Sequence, residues 1–272
     1  MAGPVDLWSH GARYEAFMGR WSRRAAGGFV RWVAADPGLR WLDVGSGSGA
    51  VTATILDLAG PDTVVGIDAS AGYVAEAGRR ITDPRARFEV GDAHEPAGDA
   101  IFDVAVSGLM LNFVGDPVAV VHAMRRAVTP HGVVAAYIWD YRRMDLLGHF
   151  WAAAAVLDAD AHPMDEAVRF ASWTAEHLST LWHAAGLQDV RTTAIDMTLR
   201  LRDFDDYWRP FQGGQGPAAA YLRSLDQRGR ATLRDAVHAR LPRSPGGPLR
   251  LHATALAVKG RPAPDGTSTG SA

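Results

Sequence analysis

Between residues 40 and 139, short apolar runs alternate with stretches whose apolar residues recur at helical spacing. Few folds accommodate that alternation. The runs WLDV (41–44), TVVGID (63–68), ARFEV (86–90), FDVAVS (102–107) and GVVAAYIW (132–139) have the length and β-branched content of strands. Between them, AVTATILDLAG, SAGYVAEAGRRI and DPVAVVHAMRRAV each carry an apolar helical face. Strands joined by helices pair in parallel through right-handed crossovers, and the helices then cover both faces of the sheet. Burial on both faces explains runs that are apolar throughout. VRTTAIDMTLRL (190–201) and LRLHATALAVKG (249–260) instead alternate with a period of two residues, which predicts half-covered strands. They are expected as the last strands, paired antiparallel.

The remaining segments divide the chain. Residues 1–34 read as an N-terminal helical lid and 35–140 as the core. Residues 141–186 and 203–248 read as helical cap insertions over the carboxyl edge of the sheet, where open α/β folds bind ligands. Residues 187–202 and 249–260 supply the last core strands, and RPAPDGTSTGSA (261–272) a disordered tail. The absence of cysteine excludes disulfides and thiolate chemistry, and the ten histidines lack metal-ligand spacing. A net charge of −2 and no evident basic patch argue against nucleic acid. No apolar run reaches the roughly 20 residues of a membrane span. A cytoplasmic protein is expected.

WLDVGSGSGAVT (41–52) is where chemistry enters. A glycine turn between a strand and a helix lets backbone approach a ligand closely. Gly45, Gly47 and Ala50 fit the G-x-G-x-x-A dinucleotide fingerprint, but the same letters fit the G-x-G-x-G loop of enzymes that bind a nucleoside sulfonium. Asp68, ending the second strand, suits ribose hydroxyls in either case. Asp92 and Ala93 in VGDA, past the third strand, suit an adenine amino group and ring nitrogen. Asp43 beside the loop would repel a pyrophosphate and attract a sulfonium or ammonium group.

LDVGSGSG, GIDAS, GDA and FDVAVSGLMLNFVGDP, in this order and spacing, resemble the class I S-adenosylmethionine-dependent methyltransferases. HGARYEAFMGRWSRR (10–24) and FDDYWRPFQGGQGP (204–217) are similar to a bacterial small-molecule branch of that family. The resemblance implies a Rossmann-like, doubly wound, mostly parallel seven-stranded sheet with an antiparallel last strand and helical cap insertions. It implies S-adenosylmethionine as cofactor, with Gly45, Ser46 and Gly47 around the methionine part. Asp68 and Ala69 then hold the ribose, and Asp92 and Ala93 the adenine. Tyr73 packs on the adenine and Ser107 lies near the methionine end, while Tyr14 and Arg20 close over the cofactor. The segment GDAHEPAGDAIFD departs from the family pattern: it is compressed and lacks the leucine-proline that commonly follows GDA.

Asn112 and Asp140, following the fourth and fifth strands, are candidates for orienting or deprotonating an acceptor, with Tyr14 beside them and His94 as reserve base. The expected reaction is methyl transfer to a small acceptor in bacterial secondary metabolism. A phenol oxygen, an amine or an indole carbon would suit tryptophan-rich caps. Two alternatives share the loop: an NAD(P)-dependent oxidoreductase and a non-catalytic S-adenosylmethionine-binding protein. No metal, nucleic acid or membrane partner is expected.

Overall fold

A computed structural model of the chain describes residues 11–95, 100–213, 216–242 and 248–263, with side chains from residue 18 onward in the first helix. Seven strands form one sheet: β1 (Arg40–Val44), β2 (Thr63–Asp68), β3 (Ala86–Val90), β4 (Phe102–Gly108), β5 (Val128–Met144), β6 (Leu187–Leu201) and β7 (Leu249–Pro262). Their order is β3-β2-β1-β4-β5-β7-β6, with β7 antiparallel to the other six. Parallel registers such as Asp43↔Gly66, Asp43↔Val106 and Ser107↔Ala136 fix the central pairs. The order reverses between β1 and β4. The connections that leave their carboxyl ends therefore run in opposite directions, and at such a switch point open α/β sheets bind ligands.

The chain clusters into two units. One comprises Val30–Tyr137, Ala175–Thr193 and Ala257–Ala272. Its helices α2 (Ala50–Leu58), α3 (Ala71–Arg80) and α4 (Pro117–Ala127) form the crossovers, and Ser70 and Asp116 cap α3 and α4 through their side chains. Trp41, Leu42, Val64, Val106 and Ile55 are fully enclosed in its core. Helix α7 (Ala175–Ala184) clusters here too, and Trp182 donates its indole N–H to the Val134 carbonyl at 3.0 Å. The Lys259 ammonium donates to the carbonyls of Trp32 and Val33, the last turn of α1 (Gly11–Val33). A cation there satisfies carbonyls that a helix end leaves without partners.

The other unit comprises Met1–Phe29, Ile138–Thr174 and Ala194–Leu256. It holds α5 (Asp145–Leu157), α6 (Glu166–Arg169), α8 (Phe204–Gly213), α9 (Pro217–Ser224) and α10 (Gln227–Arg240). Its centre is aromatic: Phe150 stacks on Phe211 at 4.7 Å and meets Trp151 edge-on at 5.1 Å. Trp151, Tyr207 and Trp208 are buried, so these rings are core and not the walls of an open aromatic pocket.

Three expectations need correction. Strand β5 runs on to Met144, so Asp140 and Tyr141 lie inside the strand and do not follow it. Residues 134 to 141 are all buried, and this continuous burial keeps the chain extended where a helical cap was expected to begin. Arg261 and Pro262, expected in the tail, belong to β7, and residues 264–272 lie outside the described residues. Helix α7, expected in a cap, clusters with the parallel strands. No helix among the described residues is long and apolar enough to cross a membrane.

Candidate functional site

The loop after β1 is held by its own backbone. Gly45, Gly47 and Gly49 have φ of 73°, 53° and 84°, a region that side chains with a Cβ rarely adopt. The N–H groups of Gly45 and Ser46 both donate to the Ile67 carbonyl at 2.9 Å, and Gly49 N–H donates to the Ser46 carbonyl at 2.9 Å. Gly47 N–H donates to Asp68 Oδ2 at 2.9 Å, while Asp68 Oδ1 accepts from Ser70 N–H at 2.9 Å. Each Asp68 oxygen thus keeps a second lone pair for a ligand. A Cβ at Gly45 would sit 2.7 Å from Met110 Cγ, whereas one at Gly47 would meet nothing within 4 Å. Gly47 faces open space.

Asp43 lies beneath this loop, fully buried, and accepts the Thr52 hydroxyl at 2.7 Å and the Thr52 N–H at 3.1 Å on Oδ2. Burial pushes its carboxyl up to about 7; the two Thr52 hydrogen bonds oppose the rise and the charge of Asp68 adds to it. Asp43 Oδ1, Ser46 Oγ, Ser107 Oγ and Asn112 Nδ2 are buried with no hydrogen-bond partner among the described residues. Such groups are costly unless a ligand or water completes them. They belong to β1, β4 and the loops that follow, at the switch point of the sheet.

After β4 the backbone turns at Leu109, whose φ of 60° is strained for a branched side chain, and Leu109 N–H donates to the Tyr137 carbonyl at 2.8 Å. Asn112 follows in a 3-10 turn, Leu111–Phe113, and is buried. Leu109 and Met110 escaped the sequence reading because the Leu-Met-Leu run directly after Gly108 contains no turn-forming residue. Past β3, Asp92 Oδ1 accepts the His94 N–H at 2.9 Å and lies 2.8 Å from His94 Nδ1. These two contacts hold the exposed Asp92 carboxyl below the usual carboxylate range. His94 is thereby oriented, with Nε2 left over. Ala69 is exposed at the end of β2, and Tyr73, half-buried, donates its N–H to Ser70 Oγ at 3.3 Å.

One unit therefore brings together Asp43, Gly45, Ser46, Gly47, Asp68, Ala69, Tyr73, Asp92, Ala93, His94, Ser107 and Asn112. Tyr14, Arg20 and Asp140 belong to the other unit. The Tyr14 side chain lies outside the described residues. Arg20 donates to Asp206 at 3.2 Å and to the Arg200 carbonyl at 3.0 Å, and buried Asp140 meets Arg142 at 3.2 Å. Among the described residues no group of three or more His, Asp or Glu side chains is arranged for a metal.

The donor set tests the two cofactors. A pyrophosphate needs several free loop N–H groups; those of Gly45, Ser46, Gly47 and Gly49 are committed inside the protein, which leaves Ser48 N–H, and the buried Asp43 carboxyl disfavours a second anion. Of the buried atoms without partners, the Ser46 and Ser107 hydroxyls and the Asp43 carboxyl oxygen suit an amino-acid end bearing both ammonium and carboxylate.

Comparison with known proteins agrees. Residues 42–136 match the family described as "Methyltransferase domain". Over 106 residues the chain is 32% identical to trans-aconitate 2-methyltransferase of Deinococcus radiodurans, a match spanning 39% of this chain and 40% of that protein's length. Phosphoethanolamine N-methyltransferase 2 of Haemonchus contortus, solved with S-adenosyl-L-methionine, is similar in fold with a TM-score of 0.56 at 16% identity, covering 93% of this chain and 57% of that one. The YcgJ protein from Bacillus subtilis is similar with a TM-score of 0.53 at 16% identity, covering 88% and 98%. Strand order, loop geometry and sequence match converge on the same segment: residues 42–136 belong to a class I S-adenosylmethionine-dependent methyltransferase domain.

Proposed function

We propose that the chain transfers a methyl group from S-adenosylmethionine to a small-molecule acceptor. The observation that carries this is the glycine loop, four of whose N–H groups are already bonded within the protein, above a buried carboxyl that attracts a cation and repels a pyrophosphate. The same observation weighs against the oxidoreductase alternative.

When bound, S-adenosylmethionine supplies a methyl group on a sulfonium sulfur, which leaves as S-adenosylhomocysteine. The residues do the rest. Asp68 accepts the ribose hydroxyls with its remaining lone pairs, Asp92 and Ala93 engage the adenine edge, and Tyr73 packs beside the ring. Ser46, Ser107 and the carboxyl of Asp43 meet the methionine end, where burial strengthens each polar contact. Tyr14 and Arg20 are assigned to cofactor closure. Asn112 orients the acceptor, with Asp140, Tyr14 and His94 as further acceptor-side residues. Alignment and exclusion of water carry much of the rate. A base is needed only for an acceptor whose proton must leave early.

Phenol, amine and indole acceptors remain in this proposal. A carboxylic acid joins them because of the name of the Deinococcus relative. Titration calorimetry with S-adenosylhomocysteine and NADH side by side tests the cofactor: saturable binding of the first and none of the second is expected, and tighter NADH binding overturns the proposal. Asp68→Ala should weaken S-adenosylhomocysteine by about 1.5–3 kcal/mol, the range for a hydrogen bond to a charged group. A screen of labelled-methyl transfer over the four acceptor classes tests catalysis. No transfer to any of them, with intact cofactor binding, favours the non-catalytic alternative.

A further inference from the structure

The chain has an overall charge of −2, yet one of its units concentrates cations around a single cavity of about 590 Å³. Its walls carry Arg20, Arg23, Arg24, Arg200, Arg250 and His252. Three elements contribute, each at its own period. On α1, residues 20, 23 and 24 share one helical face. On β7, Arg250 and His252 are two apart and point the same way. Thr198 Oγ1 lies 3.0 Å from His252 Nδ1, and Thr254 Oγ1 donates to Asp196 Oδ1 at 2.6 Å. These contacts run in opposite order along β6 and β7, and the same count sets Arg200 opposite Arg250.

Few carboxylates answer these charges. Asp206 takes Arg20 at 3.2 Å and lies 3.8 Å from Arg202, outside the cavity. Asp196 is spent on Arg143 and Thr254, and Asp145 accepts the His252 backbone N–H. Arg23 has contacts of its own within the protein. Among the described residues, Arg24, Arg200 and Arg250 make no ion pair with a carboxylate. Like charges at helical spacing and directly across a strand pair both destabilise a fold. An anion between them reverses the sign, and guanidinium groups bind phosphoryl and carboxylate oxygens two at a time.

We propose that this cavity binds a compact small-molecule polyanion, one bearing two or more phosphoryl or carboxylate groups. The volume falls within the roughly 300–1,000 Å³ of small-molecule sites. The cations ring one cavity instead of forming the long stripe that tracks a nucleic-acid backbone. The expectation from sequence that the chain has no basic patch is thereby corrected: residues far apart in the chain meet here. The proposal does not rest on methyl transfer, although Arg20, one of the cavity's walls, is also assigned to cofactor closure.

Titration calorimetry of the full chain at low salt, with inorganic pyrophosphate and citrate as probes, tests it. Saturable one-to-one binding of at least one probe is expected, and which one binds tells phosphoryl from carboxylate chemistry. Arg24→Gln and Arg250→Gln should each weaken that binding at least fivefold and together at least twentyfold. Thermal unfolding should match that of the parent, which shows that the variants are folded, and S-adenosylhomocysteine affinity should stay within twofold. Each arginine is exposed, so single replacements leave the core untouched. Absence of binding by both probes, or variants that bind as the parent does, overturns the proposal. So does duplex DNA that binds tighter than either probe, with affinity rising as the duplex lengthens.

Discussion

Asp43 and Gly45 stand two residues apart and answer different constraints. Asp43 is out of water, and the cost of burying its charge is what raises its carboxyl to about 7. Asp43→Asn keeps an oxygen for Thr52 and removes the charge, so the two roles separate. A fold of parental stability with S-adenosylhomocysteine weakened about tenfold, roughly 1.4 kcal/mol, is the outcome expected of a charged cofactor contact. Unchanged affinity in calorimetry reduces Asp43 to a support for the loop. Gly45 is limited by conformation as well as space. Gly45→Ala places a Cβ at φ 73° against Met110, and should cost about 1–2 kcal/mol in thermal or denaturant unfolding. Gly47→Ala has open space but a left-handed φ of 53°, so it should cost about 1 kcal/mol of stability and weaken the cofactor as well. The positions of Asp43, Asp68 and Asp92 were legible because strand ends can be read from letters. The protonation of Asp43 was not, since it depends on what packs around it.

Among the elements, α5 and α6 meet through one hydrogen bond that no local pattern announces. Trp151 on α5 donates its indole N–H to Glu166 Oε2 at 2.6 Å, and Glu166 is buried. Burial pushes the Glu166 carboxyl up to about 7; its hydrogen bonds and the charge of Arg169 oppose the rise, and Asp165 adds to it. For an acid whose folded pKa is raised, the native state holds the proton more tightly. Stability from this group is complete below about pH 4.5 and is lost as pH rises through 7. Glu166→Gln keeps an acceptor for the indole and cannot ionise. It should match the parent near pH 4 and exceed it above pH 7.5 by up to about 3 kcal/mol, since each tenfold gain in proton affinity on folding is worth about 1.4 kcal/mol. Equal pH dependence of unfolding in the two proteins refutes the buried proton. At this scale β2 and β3 could be read with their ends, because Gly, Asp and Pro flank them. Strand β5 could not: the polar DYRRM reads as the end of the strand and the start of a helical cap, and the burial of Asp140 and Tyr141 comes from neighbours distant in sequence.

Across the whole molecule, averages conceal arrangement. A charge of −2 spread over the chain predicts no basic surface, yet arginines from α1, β6 and β7 converge in one unit. The residues assigned to the acceptor are likewise divided, Asn112 and His94 in one unit, Tyr14 and Asp140 in the other. The division makes their contributions separable by kinetics. A residue that acts only on the acceptor lowers turnover without touching the cofactor. Asn112→Ala, Asp140→Asn, Tyr14→Phe and His94→Ala should each be measured for turnover on an acceptor found in the screen and for S-adenosylhomocysteine affinity. Asn112 carries the sharpest expectation, because its side-chain amide is buried with Nδ2 lacking a partner. Turnover of Asn112→Ala should fall at least tenfold while affinity stays within about threefold, roughly 0.65 kcal/mol. His94→Ala should act mainly at higher proton demand, with a loss that deepens for an acceptor carrying a proton and vanishes for one that does not. If all four variants turn over at the parental rate, alignment alone carries the reaction. If affinity falls in step with turnover for Asn112→Ala, the amide serves the cofactor and its acceptor role is withdrawn.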